Sequence, residues 1–208
     1  MAELDTMNDT IWEAVAEERS TLVELLRELP ESAWDTASLC EGWRVRDVAA
    51  HLVLATRVTI VSLLVNLIRA RGNTDRLIHD TAVRHADRTP TAALLAELRA
   101  TIDSRAIPVG TTPIDRLMDL LVHGQDIAVP LGIDRVMPST PARLALDRVW
   151  TMGAPFHAQD RLVGYALTAT DTAWAAGNGT PITGTAAALL MIVTGRRSPA
   201  ERADGNSD

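Results

Sequence analysis

Proline and glycine divide the first 137 residues of this chain into segments whose apolar residues recur at the helical period, and that pattern points to a helical bundle. Over residues 8–29, Trp12, Val15, Leu22, Leu25, Leu26 and Leu29 fall near one face, and Pro30 ends the run. A second helical stretch covers residues 45–70 and stops at Gly72-Asn73. Thr89-Pro90 opens a third that reaches about residue 104, with proline at the first helical position. Thr112-Pro113-Ile114-Asp115 opens a fourth over residues 113–129, closed by Pro130 and Gly132. Residues 75–88 are polar and fit either a short helix or a connection. Four long helices joined by modest loops predict a bundle, the kind of scaffold in which facing side chains commonly build metal sites.

Beyond Pro138 the pattern changes. Residues 141–152 read as another helix, residues 162–170 and 172–176 as short extended segments, broken by Gly177-Asn178-Gly179 with its strong turn propensity. A last helix of small residues covers 184–193 and ends at Gly195. The expected architecture is therefore mainly α: a four-helix bundle over residues 1–137 and a small α+β C-terminal segment over 138–208. A chain of 208 residues is long enough for one substantial core with such an appendage.

Charge and composition exclude several partners. The net charge is −7, and every basic residue other than histidine is arginine, so a nucleic-acid backbone is not an expected ligand. The longest apolar run, residues 58–68, carries Thr59, Ser62 and Asn66 and is too short to span a bilayer; its stripe Leu63, Leu64, Leu67 and Ile68 reads as core. The acidic N-terminus lacks the pattern of a signal peptide, which leads to the expectation of a cytoplasmic protein. Cys40 is the sole cysteine, so no internal disulfide can form.

Three residues stand out chemically. Asp119 and His123 are four apart on the fourth helix and share a face. Asp119 sits in Leu117-Met118-Asp119-Leu120-Leu121, an apolar setting where a carboxylate needs a metal or a cation as partner. His51, on the second helix, would complete a two-histidine, one-carboxylate set with a coordination position left open, as catalytic divalent metals are usually held.

The stretch Leu39-Cys40-Glu41-Gly42-Trp43-Arg44-Val45-Arg46-Asp47-Val48-Ala49-Ala50-His51-Leu52 resembles a signature of the mycothiol-dependent maleylpyruvate isomerase family, whose members are DinB-like metal-binding four-helix bundles. The block from Val122 to Gly132, with His123 and Asp126, is similar to that family's His-x-x-Asp helix. The segment from Ala169 through Trp174 and Gly184 to Arg196 is similar to its C-terminal part. The resemblance implies a DinB-like bundle, a metal triad at His51, Asp119 and His123, a divalent metal (zinc the first choice), and mycothiol as thiol cosubstrate. The family has glutamate where this chain has Asp119, a side chain shorter by one methylene.

The implied activity is a metal-dependent, mycothiol-linked isomerase or S-transferase acting on a small electrophilic substrate. The alternative is a non-catalytic small-molecule binding or sensing protein on the same bundle, with a degenerate metal site. A dicarboxylate substrate would call for guanidinium groups, for which Arg57 and Arg84 are candidates. Asp126 and Gln125 are expected to support a ligand rather than be one. Asp47 is assigned to helix-start charge, Trp43 to packing, and His79, His85 and His157 to the surface; Cys40 is not assigned a catalytic role. No nucleic acid or membrane partner is expected, and a bundle with an apolar surface stripe could pair as a homodimer.

Overall fold

The computed structural model describes residues 2–57, 74–108 and 110–199 and divides into two compact units, Met1–Arg135 and Val136–Asp208. The first unit is helical. It holds α1 (Ala2–Arg27), a 3-10 turn (Glu31–Asp35), α2 (Val45–Leu54), α3 (Thr74–Arg88), α4 (Thr91–Arg99), α5 (Pro113–Ala128) and a second 3-10 turn (Val129–Leu131). α1 packs on α4 and α5, while α2 packs on α3, α4 and α5. Leu22 and Leu26 from α1, Val48 and Leu52 from α2, Leu94 and Leu98 from α4, and Leu117 and Leu121 from α5 are all buried. Each recurs at three- or four-residue spacing, which aligns one apolar stripe per helix and explains why the bundle forms. Among the described residues no helix is long and apolar enough to cross a membrane.

Local chemistry fixes where the site-bearing helices start. The Asp115 carboxylate reaches back to the Thr112 backbone N–H and hydroxyl, both at 2.8 Å, and Pro113 occupies the first turn of α5. Asp47 performs the same service for α2, accepting the Arg44 backbone N–H at 2.8 Å and the Arg44 Nε at 2.9 Å. Helix-start charge was the role read for Asp47 in the sequence. The loop before α2 folds back on itself through a bridge between Ala37 and Arg44. It is tied to α5 by the Leu39 N–H, which donates to the Asp126 carbonyl at 3.0 Å.

Several boundaries differ from the sequence reading. The polar stretch before Thr89 is a full helix, α3; among the described residues its fully buried side chains are those of Ala82 and Ala86, whose small size leaves the pattern looking polar. α4 ends at Arg99 rather than near residue 104, since the buried Arg19 guanidinium donates to the carbonyls of Thr101, Ile102 and Ser104 and so stabilises a non-helical turn. Pro90 precedes the first helical residue of α4 instead of occupying it. The continuation of the second helix to residue 70, and the stripe Leu63, Leu64, Leu67 and Ile68, lie outside the described residues.

The second unit contains α6 (Ser139–Thr151), a short α7 (Ala158–Arg161), strands β1 (Gly164–Ala169), β2 (Ala175–Gly177) and β3 (Gly179–Gly184), and α8 (Ala186–Val193). α6 packs on α8, burying Leu146 and Val149 against a helix in which Leu189, Leu190 and Ile192 are buried. The sheet order is β2-β1-β3, with β2 antiparallel and β3 parallel to β1. The chain therefore crosses from one edge of β1 to the other at Gly177-Asn178-Gly179. Both glycines have positive φ, 75° and 127°, and a side chain at either would run into the carbonyl oxygens of Tyr165 and Gly164. β3 is a strand in a stretch that the sequence reading left unassigned between the Gly177-Asn178-Gly179 turn and the final helix; its Gly, Thr and Pro content carries no apolar alternation.

Candidate metal centre

The three helical residues converge. Asp119 and His123 project from successive turns of α5, and His51 faces them from α2. Asp119 Oδ1 lies 3.4 Å from His51 Nε2 and 3.4 Å from His123 Nε2. The two imidazoles stand edge to face with ring centroids 4.9 Å apart. Those separations are long for hydrogen bonds. A tetrahedral ion with bonds of about 2.0–2.1 Å needs its ligand atoms roughly 3.3–3.4 Å apart. Asp119 thus has the reach despite its shorter side chain, and the donor set fits a divalent metal.

A second group of ligand-type atoms lies on the other side of the His123 ring. Asp126 Oδ2 is 2.8 Å from His123 Nδ1, and the Cys40 thiol donates to the same oxygen at 3.0 Å. Cys40 Sγ is 3.6 Å from His123 Nδ1. Both trios are close enough to hold an ion. Their distances separate them. The carboxylate contacts in the second trio are of hydrogen-bond length and shorter than a metal's coordination edge, whereas those in the first match that edge. A proton on Nδ1 shared with Asp126 leaves His123 Nε2 as a lone-pair donor facing His51 and Asp119.

In the metal-free protein the three groups are shifted in different directions. Burial raises the Asp119 pKa, but Arg116, His51 and His123 outweigh it and hold the carboxyl well below its ordinary value. Burial works against the charge on His123 as well, yet Asp119, Asp126 and Cys40 together keep its pKa well above the usual one. His51 shows the opposite result: burial dominates, is only partly offset by Asp119, and lowers its pKa. Arg19, buried and near Arg116, is lowered to about 10, chiefly by burial and then by that like charge.

Trp43 forms one wall. Its ring centroid lies 5.3 Å from His51, 6.1 Å from His123 and 6.2 Å from His79. It is buried, so the packing role read from the sequence is met at the site itself.

Residues 15–108 match the family described as the mycothiol maleylpyruvate isomerase N-terminal domain. Two crystal structures, of the mycothiol-dependent maleylpyruvate isomerase and of a histidine-to-alanine mutant of it, share the fold with TM-scores of 0.62. Their identities to this chain are 15% and 14%, and each alignment covers 92% of this chain and 90% of the solved one. At that identity the likeness establishes the fold. No curated protein matches the chain in sequence. The isomerase-family match contains Cys40, Trp43 and His51, while Asp119, His123 and Asp126 lie beyond its end.

Two arginines considered from sequence are engaged elsewhere. Arg57 pairs with Glu97 at 3.3 Å, and Arg84 donates to the Thr81 hydroxyl. The guanidinium at the centre is Arg116, whose Nη1 donates to Asp119 Oδ2 at 2.6 Å. Sequence reasoning missed it, although an Arg three residues before an Asp on one helix is a spacing that brings the pair together. His79 is also nearer than expected, half-exposed and beside Trp43. His85 is part-buried and pairs with Glu97 at 2.7 Å rather than lying free on the surface, whereas His157 is exposed as expected.

Proposed function

We propose that this protein is a metal-dependent, mycothiol-linked isomerase or S-transferase acting on a small electrophilic substrate. The observation that carries the reading is the pair of 3.4 Å separations between Asp119 Oδ1 and the two imidazole Nε2 atoms, within a chain whose first half has the isomerase-family domain. His51, Asp119 and His123 would hold the ion, and zinc suits the N/O donor set. A divalent metal there supplies a Lewis acid that lowers the pKa of a bound thiol or polarises a substrate carbonyl.

The remaining steps belong to the protein. Asp126 holds the proton on His123 Nδ1, which fixes the tautomer and the ring plane. Trp43 covers the imidazoles and keeps bulk water from that side, which strengthens the electrostatics within. His51 and Asp119 are the partly exposed members of the trio and mark the face from which a thiol and its electrophile approach. A thiolate adding to an electrophilic double bond gives an enolate; rotation and expulsion of the thiolate complete isomerisation, whereas protonation of the enolate carbon from solvent with the C–S bond retained gives a conjugate.

The test is thiol-dependent turnover of a cis-enedioate such as maleylpyruvate by protein as purified, after chelation, and after zinc is returned. Activity that needs mycothiol, disappears on chelation and returns with zinc supports the proposal. Metal-loaded protein that binds the thiol or the electrophile without converting either would favour a sensing protein.

A further inference from the structure

Asp119 is engaged at both oxygens. Oδ1 faces the imidazoles, and Oδ2 accepts the 2.6 Å bond from Arg116 Nη1. Arg116 precedes Asp119 by three residues on α5, so helix geometry alone brings the guanidinium alongside. The arginine is 5% exposed, and its buried Nε has no hydrogen-bond partner among the described residues. Its ion-pair partner among them is Asp119 alone. A buried guanidinium is costly without good pairing, and here nearly all of its compensation comes from a carboxylate that the donor geometry assigns to the metal.

We propose that Arg116 is a positioning residue that restricts Asp119 to one donor oxygen. The inference rests on the metal-centre reading above. A carboxylate can bind an ion through one oxygen or two. A short, charge-assisted bond on Oδ2 leaves only Oδ1 for the ion, so three protein atoms coordinate it and the other positions stay open for thiol and substrate. The guanidinium also withdraws part of the Asp119 charge, so openness is gained with weaker hold on the cation.

The experiment is titration of metal-free protein with Co2+, followed by visible absorption, in the parent, Arg116→Gln and Arg116→Lys. Cobalt in a four-coordinate site absorbs far more strongly than in a five- or six-coordinate one. In Arg116→Gln the Co2+ affinity should rise by at least about tenfold, the scale on which outer groups tune metal sites, and the absorption per cobalt should fall as Asp119 closes onto the ion with both oxygens. Arg116→Lys keeps a charge on Oδ2 and should stay within a few-fold of the parent in affinity, with the parent's spectrum. X-ray absorption of the parent's cobalt complex gives an arm independent of any variant: a one-oxygen carboxylate supports the proposal and a two-oxygen one overturns it. Unchanged or weaker binding in a folded Arg116→Gln, with the parent's spectrum, overturns the proposal while the metal centre stands. Absence of Co2+ binding by the parent overturns both.

Discussion

Replacing Asp126 by asparagine changes one charge and almost no volume at a fully buried position, directly behind the His123 imidazole. Asp126 Oδ2 accepts from His123 Nδ1 at 2.8 Å and from the Cys40 thiol at 3.0 Å. The asparagine oxygen can still accept, so the ring keeps its orientation while a charged acceptor becomes a neutral one. Hydrogen bonds to charged groups contribute about 1.5–3 kcal/mol and neutral ones about 0.5–1.5, so the variant loses roughly 1–2 kcal/mol of support for His123 as a donor. That difference corresponds to roughly 5–30-fold in metal affinity. It overlaps the roughly 10–100-fold loss typical of groups behind metal-bound histidines. Zinc competition against a chromophoric chelator measures it, and circular dichroism of the metal-free variant checks that the bundle is intact. A folded Asp126→Asn with the parent's zinc affinity would refute the claim that His123 coordinates through Nε2 with Asp126 behind it.

Two further outcomes rest on the same structure. Because Asp119, Asp126 and Cys40 outweigh burial and raise the His123 pKa, the metal-free protein should have stability from this group that is fully present below about 6.5 and lost as pH rises through the raised value. The lowered His51 pKa acts in the other sense, removing stability as pH falls through about 6.5. Thermal melts of chelated protein across pH should therefore decline at both ends, and a melting temperature that keeps climbing on the alkaline side would contradict the His123 assignment. In the second unit, Gly177→Ala places a side chain at a φ of 75° against the Tyr165 carbonyl. Left-handed backbone alone costs about 1–2 kcal/mol, so this variant should melt at a lower temperature than the parent, whereas an unchanged melt would mean that the crossover between β2 and β3 does not need glycine.

The helical character of the first unit was legible from apolar spacing and from Pro and Gly positions, and α5 is nearly as read because Thr112, Pro113 and Asp115 carry its start locally. Asp119 and His123 could be paired from spacing alone, and His51 came from the motif around it. Contact across many residues was not legible in the sequence. The tie between Cys40 and Asp126 spans a loop and a helix far apart in the chain, and the early end of α4 depends on Arg19 from α1. α3 was ambiguous because its fully buried residues are alanines. β3 was missed because its strand character comes from pairing with β1, not from its own composition.

Metal content by elemental analysis, on untagged and never-chelated protein, tests the central claim most directly when the parent is compared with His51→Ala and Cys40→Ala. The geometry predicts close to one zinc (or another divalent ion) per chain in the parent and in Cys40→Ala, and loss of it in a folded His51→Ala. A parent that carries no metal and takes up none, or a His51→Ala protein that keeps its metal while Cys40→Ala loses it, would contradict the assignment of His51, Asp119 and His123 as the metal centre.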